Sequence, residues 1–373
     1  MREAAEARQR RITTLVTQHH DIRISDLAEL LQVSPMTVRR DVDALVAEGA
    51  VRRRHGRVLS EETPASPRNG RLNCVPILIP AHHPYLQAVA QGAGERLAEL
   101  GFRAPIRLAP DTPWGLEETV RDLAQEMRMD GLLLAPRWHT TEFEAAGQEQ
   151  IAHLPCPAVL LERQPSDRPE LASVDSVSTD HRFGVRLAVE HLVREGHRRI
   201  LLATRMDSPT ARSISTAFAA IAQEHPQLER WDRVLSAAEA LPRADADAGA
   251  SPGAACPPVR HPDFSDADWL GTLARRDGFT AIVIHSDVNA LVLVQQLVAN
   301  GVEIPADVAI IAYDDVVAGH AVIPLSAIAP PKAEVGRSAA DLISARLQAV
   351  EAEQPWTPQR LLLLPQLRER AST

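Results

Sequence analysis

A chain of 373 residues has room for two or three domains, and an apolar fraction of 45% is enough for sizeable cores. Met1 to Arg11 are charged and helix-forming, and no window reaches the roughly 18 consecutive apolar residues of a membrane helix, so neither a signal peptide nor a span is expected and the expected location is cytoplasmic. A net charge of −9 argues against nucleic-acid binding by the whole surface.

The charge is uneven. In residues 1–60 eleven arginines stand against eight acids, a balance of +3 that leaves −12 for the remainder. A small basic module on an acidic body fits a nucleic-acid reader joined to a different kind of domain. Cys74, Cys156 and Cys256 are too few and too far apart for a disulfide framework or a metal site, and no cofactor or metal is expected.

Residues 1–60 form the first predicted domain. Arg8–Thr17 reads as a helix with Ile12, Leu15 and Val16 on one face. Ile24–Leu31 reads as a second, with Ser25 as its cap and Leu27, Ala28, Leu30 and Leu31 as its buried stripe. Gln32 and Val33 make a tight connection. Ser34 is a good N-cap and Pro35 follows at the first helical position, where a missing N–H costs nothing. This third helix runs to about Glu48, with Gly49 as its stop. Val38, Val42, Leu45 and Val46 should face inward, which leaves Met36, Thr37, Arg39, Arg40 and Asp43 outside. Residues 50–59 read as a small hairpin turning at His55-Gly56.

Two short helices joined by a tight turn, the second opening with small polar residues and carrying arginines, match helix-turn-helix geometry. Ser34 and Thr37 are placed to reach phosphates. Met36, Thr37 and Arg40 are placed to reach base edges, with Arg39 beside them, and an arginine can read guanine through two hydrogen bonds. Arg52, Arg53, Arg54, His55 and Arg57 on the hairpin would lie along the DNA backbone and supply salt-dependent affinity. The stretch Ser25-Asp-Leu-Ala-Glu-Leu-Leu-Gln-Val-Ser-Pro-Met-Thr-Val-Arg-Arg-Asp-Val and the later Glu48-Gly-Ala-Val-Arg-Arg-Arg-His-Gly resemble the DeoR-type winged helix-turn-helix. Arg57 departs from the second glycine usual in that family after His-Gly.

Residues 61–73 are rich in proline and polar residues without periodicity and read as a flexible linker. From residue 74 to 373 short apolar runs alternate with amphipathic helices. The runs are Val75–Ile79, Gly131–Leu134, Ala158–Leu161, Ile200–Ala203, Ala281–Ile284 and Val308–Ala312. The helices include Ala88–Leu100, Glu117–Met127, Phe183–Arg194, Ala211–Gln223 and Asn289–Asn300. This alternation predicts an α/β fold with parallel sheets covered on both faces, and the length predicts two lobes. Residues 235–264, heavy in Ala, Pro and Asp, break the pattern and read as a disordered insertion.

Ligands of such folds sit beyond the carboxyl ends of strands. Candidates at those positions are Tyr85, Arg137, Glu162 with Arg163, Asp287 and Asp314. Tyr85 could stack on a ring or pack against the lobe, and either Asp could accept hydroxyl hydrogen bonds or cap a helix. The blocks Val174–Asp180, Gly196-His-Arg-Arg-Ile200, Ser286-Asp287 and Ile304–Asp315, with Gly184 and Gly336, resemble the LacI/GalR-type sensor, a periplasmic-binding-protein-like fold. That resemblance implies a homodimer reading a palindromic operator, commonly a repressor, with a small effector, commonly a sugar or nucleoside, held between closing lobes. The family usually has an arginine four residues before the aromatic matched by Phe218. Here that position is Ile214 and the arginine is Arg212, so either Arg212 reaches in from a shifted turn or the ligand is an unusual one. Alternatives are a sensor for a non-sugar or phosphorylated metabolite and a sugar-acting enzyme with a DNA-binding appendage. No nucleophile elbow, P-loop, His-Glu-x-x-His or dinucleotide fingerprint supports an enzyme.

Overall fold

The computed structural model describes residues 5–19, 21–31, 33–47, 50–54, 57–60, 73–81, 83–109, 115–154, 156–238 and 258–373. The chain divides into two compact units, Met1–Leu72 and Asn73–Thr373. Residues 61–72 of the expected linker lie outside the described residues, as do Gly49, Cys256 and residues 239–257 of the expected insertion. Among the described residues no helix is long and apolar enough to cross a membrane.

The first unit contains α1 (Ala5–His19), β1 (Asp21–Arg23), α2 (Ile24–Leu31), α3 (Pro35–Ala47), β2 (Val51–Arg54) and β3 (Arg57–Ser60). The strands form an antiparallel sheet in the order β1-β3-β2. Ile12, Val16, Leu27, Leu31, Val38, Val42 and Leu45 from the helices pack on Val51 and Val58 from the hairpin. Each such fully buried side chain contributes about 1.5–3 kcal/mol. Ser34 caps α3, its Oγ accepting from the Thr37 N–H at 3.2 Å.

Three expectations for this unit need correction. Leu30 is 51% exposed, because it lies roughly 100° round α2 from the stripe of Ile24, Leu27, Ala28 and Leu31. Val46 is 39% exposed at the edge of its stripe, while Asp41 on the other flank is buried and takes two hydrogen bonds from Arg8, at 2.5 and 3.1 Å. Ser25 falls inside the first turn of α2 and so does not precede it as a cap. Strand β1 is an addition: three residues are too short to show alternation.

The second unit has two lobes. Lobe one begins with β4 (Ile77–Pro80), α4 (Pro84–Glu99), β5 (Ile106–Ala109), α5 (Gly115–Glu126), β6 (Leu132–Leu134), α6 (Thr141–Ala152), β7 (Ala158–Leu161) and β8 (Asp175–Thr179). Lobe two follows with α7 (His181–Arg194), β9 (Arg199–Thr204), α8 (Pro209–Glu224), β10 (Arg230–Leu235), α9 (Trp269–Asp277), β11 (Ala281–Ile284), α10 (Asp287–Ala299), β12 (Ala309–Tyr313) and β13 (Ser326–Ala329). The chain then returns to lobe one for α11 (Lys332–Glu351) and β14 (Arg360–Leu363), and ends in lobe two with β15 (Gln366–Arg368). Among the described residues the strand orders are β14-β8-β7-β6-β4-β5 and β10-β9-β11-β12-β13-β15. All neighbours are parallel except β15, which runs antiparallel to β13. Helices cover both faces, so the central strands are buried throughout, as parallel sheets require.

The returning segment is pinned by Asp175 at the start of β8. This fully buried carboxylate accepts from Arg346 on α11 at 2.7 Å, from the Trp356 indole at 3.0 Å and from the Gln359 N–H at 2.6 Å. Helices α4 and α11 pack at glycines: a Cβ on Gly92 would stand 2.5 Å from the Ala333 carbonyl oxygen.

The expected insertion is shorter than residues 235–264. Leu235 ends β10 and is buried, and Arg260 pairs with the same strand through Leu235 N–H to Arg260 O at 3.0 Å and Arg260 N–H to Arg233 O at 2.8 Å. Phe264 then packs edge-on against Trp269. Alanine-rich composition masked these anchoring residues.

Candidate functional site

The first unit presents the opening turn of α3. Met36 is 72% exposed, Arg39 and Arg40 are exposed, and Thr37 is half-buried with its hydroxyl 2.9 Å from that of Ser34. Burial of Val38 and Val42 on the opposite face fixes this orientation. Arg52, Arg53 and Arg54 lie on β2 and Arg57 opens β3; their side chains, and the whole of His55, lie outside the described residues.

The second unit holds a cavity of about 310 Å³ lined from both lobes. Every lining group follows the carboxyl end of a strand. His83, Tyr85 and Leu86 follow β4, Arg137 follows β6 and Arg163 follows β7. From lobe two, Arg205, Asp207, Ser208 and Thr210 follow β9, while His285 to Asn289 follow β11 and Asp314 and Val316 follow β12. Trp138, Glu162, Asp314 and Asp315 at these strand ends have positive φ, a strained conformation for side-chain-bearing residues.

Asp207 joins the lobes. It accepts from Arg137 of lobe one at 3.1 Å and from Arg205 Nε at 2.9 Å. Burial would raise its carboxyl, but the Arg205 hydrogen bond and the charges of Arg205 and Arg137 hold it below the usual range. Arg163 is buried and donates to the Pro136 and Glu162 carbonyls at 2.5 and 2.7 Å, and weakly to Thr210 of lobe two at 3.4 Å. His83 is pushed down to about 4 by burial, then by Arg163, Arg137 and Arg205.

On the other side, Asp287 receives the N–H groups of Val316, Val317 and Ala318 on Oδ2, at 2.5, 2.6 and 3.2 Å. Its buried Oδ1 has no hydrogen-bond partner. Asp287 therefore steadies the loop after β12 and leaves one oxygen for the cavity. Asp314 is pushed up to about 8 by burial and then by the Asp287 charge. Its folded form binds one more proton than the unfolded chain between about pH 4 and 8, so stability falls as pH rises through that window. Asp314→Asn should remove this slope. Urea unfolding should find the variant on the order of 5 kcal/mol more stable than the parent above pH 8 and equal to it below pH 4.

Tyr85 lines the cavity, but its hydroxyl donates to Glu162 at 2.6 Å and Lys332 sits 5.6 Å from its ring centre, so packing within the lobe is its main engagement. Glu162 turns away from the cavity into that network, accepting also from Thr179 and lying 3.5 Å from His181. Strand-end position alone could have drawn attention to Arg205 and Asp207, which follow β9 as Arg137 follows β6.

Residues 8–63 match the DeoR-like helix-turn-helix domain family, and residues 189–373 match the periplasmic binding protein-like domain family. Along 94% of this chain and 96% of its own length, the HTH-type transcriptional regulator reg1 of Streptomyces lividans is 26% identical. The ribose operon repressor of Escherichia coli is 26% identical over 94% of this chain and 99% of itself. The chain is a DNA-binding transcriptional regulator that joins a DeoR-like helix-turn-helix to a periplasmic binding protein-like domain. A solved complex of the transcriptional regulator CelR with cellobiose superposes on this regulator with a TM-score of 0.61 and 25% identity, over 92% of each chain.

In this regulator the displaced arginine does not enter the cavity. Arg212 donates to the Trp138 and His139 carbonyls at 3.1 and 3.0 Å and to Glu144 at 2.6 Å, all in lobe one. The reason is helical phase: Ile214 faces the core of lobe two, and Arg212 lies roughly 200° away on α8. Arg212 is thus a strap between lobes. Arg212→Ala should cost about 2 kcal/mol by urea unfolding, since it leaves partly buried acceptors without their cation.

Proposed function

We propose that this regulator is a repressor that acts as a homodimer on an inverted-repeat operator and is controlled by a hydroxylated small effector bound between its lobes. One observation carries the reading: a cavity lined by polar groups from the strand ends of two lobes lies in the same chain as an exposed helix-turn-helix. Relatives named for the ribose operon and for GalR, and the cellobiose complex, support a sugar-like effector. Ser34, Met36, Thr37, Arg39 and Arg40 would contact the operator, with Arg52, Arg53, Arg54, His55 and Arg57 on its backbone. Arg137, Arg163, Asp287 and Asp314 would contact the effector, with Tyr85 as a wall.

The control is a difference in affinity. Ligand favours whichever lobe arrangement brings both walls onto it, and DNA affinity changes only if that arrangement alters the pairing of two readers. Among the described residues no hydrogen bond joins a lining hydroxyl to His83 or His285, which a catalytic nucleophile and base would need; the lining hydroxyls of Ser208 and Thr210 engage the Ala211 N–H and Arg163 instead. Sequencing of transcripts after deletion of the gene tests repression. A small set of transcripts should rise without inducer. A fall in the same set would mark an activator, and no change would contradict transcriptional control.

A further inference from the structure

We propose that Arg212 and the Arg137–Asp207 pair form a latch that holds the two lobes shut over the cavity before any effector arrives, so that the effector enters only when the latch parts. This deepens the effector-binding reading above by naming what regulates access to that site, and it rests on that reading.

The first observation is position. The chain crosses between the lobes from β8 to α7, from β13 to α11 and from β14 to β15. Strands β8 and β14 lie together at one edge of the first sheet, and β13 and β15 at one edge of the second. The latch joins the end of β6 to the end of β9. Strand β6 is two places from β8, and β9 is three places from β13. At about 4.8 Å per strand, these offsets are about 10 and 14 Å. Rotation about the crossovers moves atoms in proportion to that distance, so hydrogen bonds here must break for the lobes to part. Arg137 and Asp207 also line the cavity, so the latch forms its wall on the side away from the crossovers.

The second observation is the bonding. Arg212 of lobe two reaches three acceptors of lobe one, the Trp138 and His139 carbonyls and the Glu144 carboxylate, at 3.1, 3.0 and 2.6 Å. Its side chain is 16% exposed and that of Glu144 24%, which limits screening by solvent. Beside it Arg137 of lobe one donates to the buried Asp207 of lobe two at 3.1 Å.

The third observation is that both halves are rigid. Trp138 packs in the core of lobe one and lies against Gly147, where an added Cβ would overlap its indole nitrogen. Thr140 caps α6, the helix that carries Glu144, its Oγ1 accepting from the Phe143 N–H at 3.2 Å. In lobe two Ser208 caps α8, accepting from the Ala211 N–H at 3.2 Å, and Ile214 and Phe218 anchor that helix in the core. Closing the latch therefore orders little beyond the long side chains themselves, and loop ordering does not offset its hydrogen bonds.

The test measures the distance between lobes in the full chain with no ligand added. Nitroxides are attached at the exposed positions Glu149 on α6 and Gln223 on α8 through Glu149→Cys and Gln223→Cys, with Cys74→Ala, Cys156→Ala and Cys256→Ala. Labelled chain is diluted with unlabelled chain, so that electron–electron resonance reports distances within one chain. The parent should give one short distance. Arg212→Gln should raise a second, longer component, increasing the ratio of open to closed about tenfold or more. Glu144→Gln, which leaves both carbonyl acceptors in place, should raise it less. A parent dominated by the long distance, or variants with the distribution of the parent, overturns the latch. Circular dichroism melts confirm that each variant is folded, and Glu144→Gln alone decides the question if Arg212→Gln is not. Because no ligand is present, the result is independent of the transcript measurement that tests effector-controlled repression.

Discussion

Arg40→Ala should lower operator affinity by about a hundredfold or more without lowering the melting temperature of the protein. Arg40 projects from the exposed side of α3, six residues beyond the Ser34 cap, while Val38 and Val42 hold the other side in the core. Truncation therefore removes nothing that the first unit packs on. A two-pronged contact from arginine to guanine is worth about 1–3 kcal/mol of discrimination. A homodimer loses it at both half-sites, which places the total at about 2–6 kcal/mol. Arg40→Lys separates charge from recognition: lysine keeps the cation but not the planar fork. Fluorescence anisotropy on an operator duplex and on a scrambled duplex should show Arg40→Ala reduced to the level of the scrambled sequence. Arg40→Lys should keep more of its non-specific than of its specific affinity. Unchanged operator affinity in Arg40→Ala would remove Arg40 from the reading surface.

The second large effect is structural. Gly336→Ala should destabilise the sensor unit by about 3 kcal/mol or more, beyond the usual range for an added core methyl group. A Cβ at Gly336 would overlap the Val89 carbonyl oxygen and stand 2.6 Å from the Ala93 nitrogen, both backbone atoms of α4. Backbone cannot rotate aside as a side chain can, so α4 and α11 would have to separate along their contact. For a unit of this size the melting temperature should drop by roughly 6–10 °C. Gly94→Ala is the matched control. Its nearest neighbour is the Ile77 Cδ1 at 3.8 Å, an ordinary contact, and helix propensity favours alanine by about 1 kcal/mol. Circular dichroism melts should show one variant strongly destabilised and the other unchanged or slightly stabilised. Equal melts for the two would refute the close crossing.

Local signals account for what was legible. Ser34-Pro35 announced α3 because a cap and a first-turn proline act through neighbouring backbone alone. The central strands β7 and β11 were readable as apolar runs because both of their faces are buried. Strands β5 and β14 were not: each has an exposed face on the edge of its sheet, and their residues look like ordinary half-polar chain. Strand β8 reads Asp-Ser-Val-Ser-Thr, and its polar side chains are buried only because Arg346, Trp356 and Tyr85, all distant in sequence, supply partners.

The site divides in the same way. Strand-end position placed Arg137, Arg163, Asp287 and Asp314 at the cavity, since every parallel strand of a lobe ends on the same side. It could not separate a side chain that faces the cavity from one that turns into the lobe, as Glu162 does beside Arg163. Nor could it say which distant arginines share one carboxylate. Asp207 and Arg137 are 70 positions apart, and only the meeting of the lobes reveals their pairing.

The central claim is that this chain is a sequence-specific, effector-controlled DNA reader. Its most direct test is to sequence genomic fragments captured by the purified full chain at moderate salt, with Arg40→Ala run beside it. The account predicts a few strongly enriched inverted repeats that vanish in the variant. Enrichment spread evenly along the genome, or the same sites recovered by both proteins, would contradict it.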